Sequence, residues 1–413
     1  MANELLGLSN YLALSVANDM WKRGRAHLKH ALSGAMVKSG YAPLLETEAR
    51  RYLERMAAGP ENAVSETNRV VGEVIVKLGF GKLEDGPGRD YIQIITRLME
   101  IMAPTMQGYV VDLFPALQYL PKWLPGMKFK RDAARWKREI RELEGTVFEL
   151  MQENAVSNDP EVRSSFTYKK MQEIDSKYAE GQDAQQRYAD EKALGYSGLQ
   201  MFFGKLFLLS TTESTVQTFL YAMTMCPAVQ KKAQAEIDRV DQSDSPYLHA
   251  AVLETLRWNP TVSFGLPHVS RKDDVYNGYF IPKGTTVMAN AWGFTRNPKH
   301  YTNPSTFDPE RYLKQSPELD PLEYVFGYGR RICPGKDLAF QEVWILAASV
   351  LWAFNVVGVE DELASLADSD RFSFATASRT QADLRLLSRP TYLKCQFIPR
   401  REGLGDKLGL GNH

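Results

Sequence analysis

A cysteine set among glycines and arginines, directly before an apolar stretch, constrains this chain more than any other feature. The segment reads Phe326-Gly-Tyr-Gly329-Arg-Arg331-Ile-Cys333-Pro-Gly335. Glycines at 327, 329 and 335 let the backbone take positive φ and approach a bound group closely. Backbone amides in such a turn can point at the sulfur. The positive end of a helix expected to start near Gly335 favours a thiolate over a thiol. Arg331, shortly before the cysteine, is placed to pair with an anion. A thiolate held by amide donors suits a metal ligand whose electron donation is tuned by its surroundings. For an arbitrary cysteine the simpler reading is a buried thiol beside a helix cap. Here the whole string outweighs it.

Bulk properties restrict the class of protein around that loop. The 413 residues are 44% hydrophobic and 24% charged, with a mean hydropathy of -0.34. A soluble globular chain with a sizeable core fits these values, and a disordered one does not. Lys+Arg and Asp+Glu both number 50, so nothing global points to nucleic acid as a partner, and any steering must come from local patches. Cys226, Cys333 and Cys395 show no paired-ligand spacing, which makes a reducing compartment the simpler assumption. Met1 to Asn10 lacks a basic run followed by an apolar core and does not read as a signal peptide. Phe340 to Val359 is the most apolar late stretch, but Gln341, Glu342, Ser349 and Asn355 interrupt it. It reads as a buried helix and not as a membrane span.

The first two-thirds of the chain read as helical, with no internal repeat. A helix is expected from Asp132 as N-cap, burying Trp136, Ile140, Leu143 and Val147. Leu120 to Phe129, with two prolines, a glycine and flanking lysines, reads as a loop with apolar residues exposed. Gly181 to Lys192 reads as a polar surface connection. A long central helix is expected over 198–226, stopped by Pro227, followed by helices over 227–240 and 246–258. Val275 to Ala291 and Phe372 to Phe397 read as short strands between turns. The fold class is therefore mainly α with a small β-sheet, in a single domain over 1–413.

Further motifs follow in a fixed order. Trp21 and Arg25 stand at i and i+4, as on a basic amphipathic face. Glu254-Thr-Leu-Arg257 places a carboxylate and a guanidinium on one helix face, where such a pair is usually a weak surface salt bridge. Phe307-Asp-Pro-Glu310-Arg311-Tyr312 comes next, and the cysteine loop last. Taken together these resemble the signatures of the cytochrome P-450 family. The loop matches every fixed position of the family's Phe-x-x-Gly-x-Arg-x-Cys-x-Gly, with Ala339 fitting its extension.

The resemblance implies haem b, with Cys333 as axial iron ligand in a haem-thiolate loop over 326–335. Phe326, Gly329, Arg331 and Gly335 belong to the same site. It implies that Glu254, Arg257 and Arg311 form a buried charged triad that positions the loop. It also implies that Trp21, Arg25, His268 and Arg331 contact haem propionates, although a lone histidine is more often a satisfied polar residue. Lys22, Arg23, Lys29, Arg330 and Lys336 come from segments flanking the thiolate side. They read either as solvated charges or as a docking patch for an acidic electron donor.

Two departures bear on activity. The family's central helix carries Ala/Gly-Gly-x-Asp/Glu-Thr-Thr/Ser. Counting back from Pro227, Thr211-Thr212 fall on the threonines, Ser210 on the acid and Leu208 on the glycine. A shifted register uses Glu213-Ser214-Thr215. Thr211 and Glu213 are thus the alternative proton-relay candidates, beside the simpler reading of a threonine bonded to its own helix. The second departure is at the start. The resemblance begins just upstream of Trp21, so the family's membrane anchor and first strands have no counterpart, which leaves a sheet edge to manage.

The activity implied is monooxygenation of a hydrophobic small molecule in secondary-metabolite biosynthesis. It draws on dioxygen and an NADPH-dependent reductase. The family's location is the cytoplasmic face of the endoplasmic reticulum, although no transmembrane anchor is read here and the chain alone fits a soluble protein. Peripheral membrane contact through 120–129 is an added expectation. A haem-binding pseudoenzyme or partner subunit without turnover is the alternative, and haem-thiolate chemistry without dioxygen a third reading.

Overall fold

The computed structural model describes residues 5–82, 97, 101, 109–178, 183–239, 245–358, 372–373, 388–390, 395–404 and 408. The principal helices are α1 (Asp19–Ala31), α2 (Ala42–Ala58), α3 (Ala63–Phe80), α4 (Lys128–Ala155), α5 (Phe166–Lys177), α6 (Ala184–Met225), α7 (Pro227–Ile237), α8 (Pro246–Trp258) and α9 (Lys336–Ala353). Among the described residues, eight short strands form four two-stranded antiparallel sheets. The chain divides into two compact units. One comprises Met1–Glu48, Asn68–Leu209 and Ala377–Leu384, and the other comprises Ala49–Thr67, Ser210–Thr376 and Arg385–His413.

In the first unit, Asn18 caps α1 by accepting from the Trp21 amide at 2.8 Å. Trp21, Gly24, Leu28 and Ala31 then recur on its buried face, the spacing of one helical stripe. Gly24 is required by close packing: a Cβ there would lie 2.9 Å from Leu12 and 3.1 Å from Ser197 of α6. Helix α4 begins at Lys128 and not at Asp132. Asp132 caps nothing and instead pairs with Arg135 at 3.1 Å. Ile140 and Val147 are buried as expected, whereas Trp136 and Leu143 are only half-buried.

The stretch 184–192 is helical, which corrects its reading as a surface connection and moves the start of the long helix from 198 to Ala184. Its polar residues are spent on ion pairs. Arg187 bonds Asp175 at 2.7 Å and Glu191 at 2.8 Å, and Asp190 accepts from Lys177 and Tyr178, each at 2.8 Å. A polar helical turn tied down in this way has the composition of a loop, so composition alone misread it.

In the second unit, α8 is buried along every residue from Ala250 to Trp258 and packs against α7 and α9. Helix α9 ends at Ala353, and β5 (Phe354–Gly358) takes over. The apolar run is therefore two elements over 340–358. Its composition could not reveal the change, because buried helix and buried strand are equally apolar. Strand β5 pairs with β8 (Cys395–Pro399) from Phe354↔Pro399 to Gly358↔Cys395. Gln230 of α7 extends this ladder: its amide donates to the Val356 carbonyl at 2.9 Å, and its carbonyl accepts the Val356 N–H at 2.7 Å. Strands β2 (Asp274–Tyr276) and β3 (Tyr279–Ile281) form a hairpin. Asn277 and Gly278 turn it at φ 50° and 83°, the Asn-Gly pairing that suits a two-residue turn. Strands β1 (His268–Val269) and β4 (Thr286–Val287) pair only with each other among the described residues.

Candidate active site

The cysteine loop runs out of a turn over Pro321–Glu323, which the Asp320 side chain caps by accepting from the Leu322 amide at 2.8 Å. Gly327 and Gly329 take φ of 80° and 53°, so the reversal needs residues without a Cβ. Gly335 does not: its φ is -93° and it is the N-cap of α9. The Cys333 amide donates to the Phe326 carbonyl at 2.8 Å, closing the loop on itself. Cys333 is half-exposed and lies just before α9, an eighteen-residue helix whose dipole lowers the cost of negative charge on sulfur. Cys395, by contrast, has its thiol pushed up to about 12 by burial, so it stays protonated at neutral pH.

Glu254 and Arg257 form a fully buried pair, not a surface one. Two bonds of 2.8 Å join them side by side. Arg257 spends its remaining N–H donors on the carbonyls of Thr295 (2.9 Å), Pro304 (2.7 Å) and Thr306 (3.1 Å). Arg311, also buried, reaches Glu254 at 3.0 Å. Glu254 additionally accepts from the Asp308 amide at 2.8 Å, and Tyr312 brings its hydroxyl to 3.4 Å. Two guanidiniums against one carboxylate would leave a buried positive charge. Glu318 removes it by pairing with Arg311. Burial alone would lower the Arg311 guanidinium, but the Glu254 and Glu318 charges hold it above its ordinary value. Glu318 was not found from the sequence, because a glutamate in a polar loop has no periodicity to mark it.

On α6, the Thr211 carbonyl accepts from the Thr215 hydroxyl at 2.9 Å and from Thr261 at 3.5 Å. Glu213 is buried, and its Oε1 accepts from Gln217 at 2.7 Å. Ser214 donates to the Ser388 carbonyl. The hydroxyl protons of Ser214 and Thr215 are thus committed to backbone carbonyls, which disfavours the register that uses them as a relay. Thr212, buried, keeps a hydroxyl with no hydrogen-bond partner among the described residues. The side chains of Leu208 and Ser210 lie outside the described residues.

Trp21 is buried and Arg25 half-buried on α1, in the first unit. His268 is exposed on β1 and Arg331 half-buried, in the second. Of the expected docking cations, Lys29 and Arg330 are exposed and Lys336 is half-buried. Lys22 bonds Asp19 at 3.1 Å on the surface. Arg23 leaves the set, because its guanidinium is tied to Asp190 and Gln186.

The residues present fit a haem. They offer a soft, half-exposed sulfur at a helix head, and a glycine turn in which a Cβ added at Gly329 would meet nothing within 4 Å.

Comparison with known proteins agrees. A family model described as Cytochrome P450 matches residues 6–378. The chain is 32% identical over 427 aligned residues to cytochrome P450 monooxygenase claR of Ampulloclitocybe clavipes, covering 99% of this chain and 74% of that protein. It is 32% identical to a tryptamine 4-monooxygenase of Psilocybe cyanescens, covering 97% and 78%. A zebra fish cytochrome P450 solved with progesterone shares the fold at a TM-score of 0.67 and 20% identity, covering 96% of this chain and 86% of that one.

A mainly helical fold and a cysteine-bearing glycine loop define a haem-thiolate oxidoreductase. The chain belongs to the cytochrome P450 family. It is a monooxygenase whose cofactor is haem, with iron bound by a cysteine thiolate. Such enzymes draw electrons from a redox-partner reductase and act on hydrophobic substrates. The alternative of a fold without turnover is not favoured.

Proposed function

We propose that Cys333 is the axial thiolate and that the enzyme inserts one atom of dioxygen into a hydrophobic secondary metabolite. The other atom leaves as water, and an NADPH-dependent reductase supplies the electron pair. The observation that carries this reading is a half-exposed Cys333 at the head of α9, in a loop closed by its own amide. Haem held by a thiolate supplies the reductive activation of dioxygen. The chain supplies the rest. Glu254, Arg257 and Arg311 brace the loop, together with Phe326, Gly329 and Gly335. Trp21, Arg25, His268 and Arg331 are the residues that would hold the carboxylates of the cofactor. Thr211 holds and passes a proton, and Glu213 is the alternative acid.

The name of one relative, a tryptamine 4-monooxygenase, supports a small-molecule substrate. The proposed setting is the cytoplasmic face of the endoplasmic reticulum. No helix among the described residues is long and apolar enough to cross a membrane. Contact with lipid is assigned to exposed Phe114, Tyr119 and Trp123 with Lys122 and Lys128, an aromatic and cationic mixture suited to a headgroup layer.

The test is the ferrous–carbon monoxide difference spectrum of purified protein. The wild type should give the long-wavelength band of thiolate ligation and Cys333→Ala should not. Equal spectra would reject Cys333. Thr211→Val and Glu213→Gln, compared for product formed per NADPH consumed, decide which residue relays the proton.

A further inference from the structure

Tyr301 is a fully buried tyrosine against the charged cluster. The Arg257 guanidinium lies 5.2 Å and that of Arg311 5.9 Å from its ring centroid, both within cation–π range. Its hydroxyl makes two hydrogen bonds, one to the Leu319 carbonyl at 2.9 Å and one to the hydroxyl of Tyr324. A phenol has one proton to give, and a carbonyl can only accept. The Tyr301 proton therefore goes to Leu319, and Tyr324 must be the donor in the tyrosine pair. Tyr324 is itself buried. It stands two positions before Phe326, whose carbonyl accepts the Cys333 amide.

We infer that the Tyr324–Tyr301 hydrogen bond is the positioning link between the buried charges and the cysteine loop. The path has named steps. Glu254 fixes both arginines. The arginines hold the Tyr301 ring. The Tyr301 oxygen fixes Tyr324, and Tyr324 sets the start of the turn whose carbonyl anchors Cys333. Among the described residues, neither triad arginine hydrogen-bonds any residue of 324–333; their hydrogen-bond and ion-pair partners lie at 254, 295, 302, 304, 306 and 318. The tyrosine pair bridges that interval. Tyr301 and Tyr324 are positioning residues, because neither is argued to touch the cofactor.

The inference rests on Cys333 being the ligand, and the experiment separates the two claims. Tyr324→Phe removes only the donated proton and keeps the ring against Phe294. Tyr52→Phe is the matched control: it deletes an equally buried hydroxyl, bonded to Thr67 at 2.8 Å, far from this path in sequence. Each variant is loaded with haem, reduced under carbon monoxide and held at the same interval below its own melting midpoint. The conversion of the thiolate band to the short-wavelength, thiol-ligated band is then followed in time.

Tyr324→Phe should convert roughly tenfold faster than wild type, the change expected when one buried hydrogen bond is lost from the ground state. Tyr301→Phe should do the same, and the double variant should be no faster than the faster single one. Tyr52→Phe should match wild type. If Tyr324→Phe converts no faster than Tyr52→Phe, the link is ordinary packing and the inference fails. If Tyr324→Phe takes up no haem, the hydroxyl serves folding and the inference also fails. A wild type without any thiolate band would instead sink the assignment of Cys333.

Discussion

Asn259 and Thr218, 41 residues apart, are joined by a buried hydrogen bond: the asparagine amide donates to the threonine hydroxyl at 2.9 Å. The same side chain accepts from the Ser388 hydroxyl. The Ser388 amide in turn donates to the Thr261 carbonyl at 2.7 Å, and Thr261 lies 3.2 Å from the Thr215 hydroxyl. The middle of α6 is thereby fastened to the segment after α8 and to residue 388. Asn259→Leu keeps the volume, removes these bonds and leaves the buried Ser388 hydroxyl without its acceptor, while Thr218 still donates to the Ser214 carbonyl at 2.7 Å. At roughly 1–3 kcal/mol for one such group, the expected loss is about 2 kcal/mol in denaturant unfolding. A change below about 0.5 kcal/mol, the size of an ordinary surface substitution, would show that the network relaxes around the gap.

Glu254 is the single carboxylate shared by Arg257 and Arg311. Replacing it with glutamine leaves two buried cations facing an amide and the lone charge of Glu318. Breaking a buried pair from one side costs about 3–5 kcal/mol. Glu254→Gln should therefore lower the unfolding midpoint and the haem bound per polypeptide together, whereas Lys22→Gln on the surface should change neither. Full haem occupancy in Glu254→Gln would separate the charged cluster from cofactor retention.

Much of this site was legible in the sequence, and its gaps have physical causes. Glycines and a cysteine report backbone geometry directly, so the loop could be read from 326 to 335. The Glu254–Arg257 pair could be read from helical spacing, but its burial could not, because spacing says nothing about what packs above a helix face. Partners supplied by loops left no trace: Glu318, Tyr301, Tyr324 and Ser388 lie in segments without periodicity. The start of α6 was misplaced because Asp190 and its cations look like solvent-exposed loop residues until Arg23, far away in sequence, is placed beside them.

Asp190 gives that correction a measurable consequence. Burial works to raise its carboxyl, but hydrogen bonds from Lys177, Tyr178 and Arg23 outweigh it and bring the pKa down to about 2, from 3.8. A depressed carboxyl contributes stability above its unfolded value, and that stability is lost as pH falls from near 4 toward 2. The wild type should lose more stability than Asp190→Asn across that interval, and the two curves should run parallel above it. Curves parallel throughout would mean that the cluster is solvated.

Glu342 carries the opposite sign. It is buried on α9, its Oε1 has no hydrogen-bond partner among the described residues, and burial raises its pKa well above the ordinary value. A raised carboxyl stabilises most below its unfolded pKa, and the contribution is lost as pH rises toward the folded one. Glu342→Gln removes the titration while keeping the shape. Relative to this variant, the wild type should become steadily less stable from about pH 5 upward. A constant offset between the two proteins across that range would mean that Glu342 is ionised and paired in solution.

The segment ahead of α4 is built to keep its apolar side chains outside. Lys130 donates to the carbonyls of Gln118 and Leu120, and Arg131 donates to that of Lys122 at 2.7 Å. These bonds fix a turn from which Tyr119 and Trp123 project, 83% and 77% exposed. Fixed exposed aromatics lose little entropy on entering a headgroup layer, and Lys122 and Lys128 beside them favour anionic lipid. Burying each ring gains up to about 2 kcal/mol. Trp123→Ser with Phe114→Ser should therefore weaken binding to mixed neutral and anionic vesicles by roughly tenfold or more. Brominated lipid should quench tryptophan emission in the wild type but much less in Trp123→Phe. Equal flotation of wild type and the double serine variant would leave these aromatics without a role at the membrane.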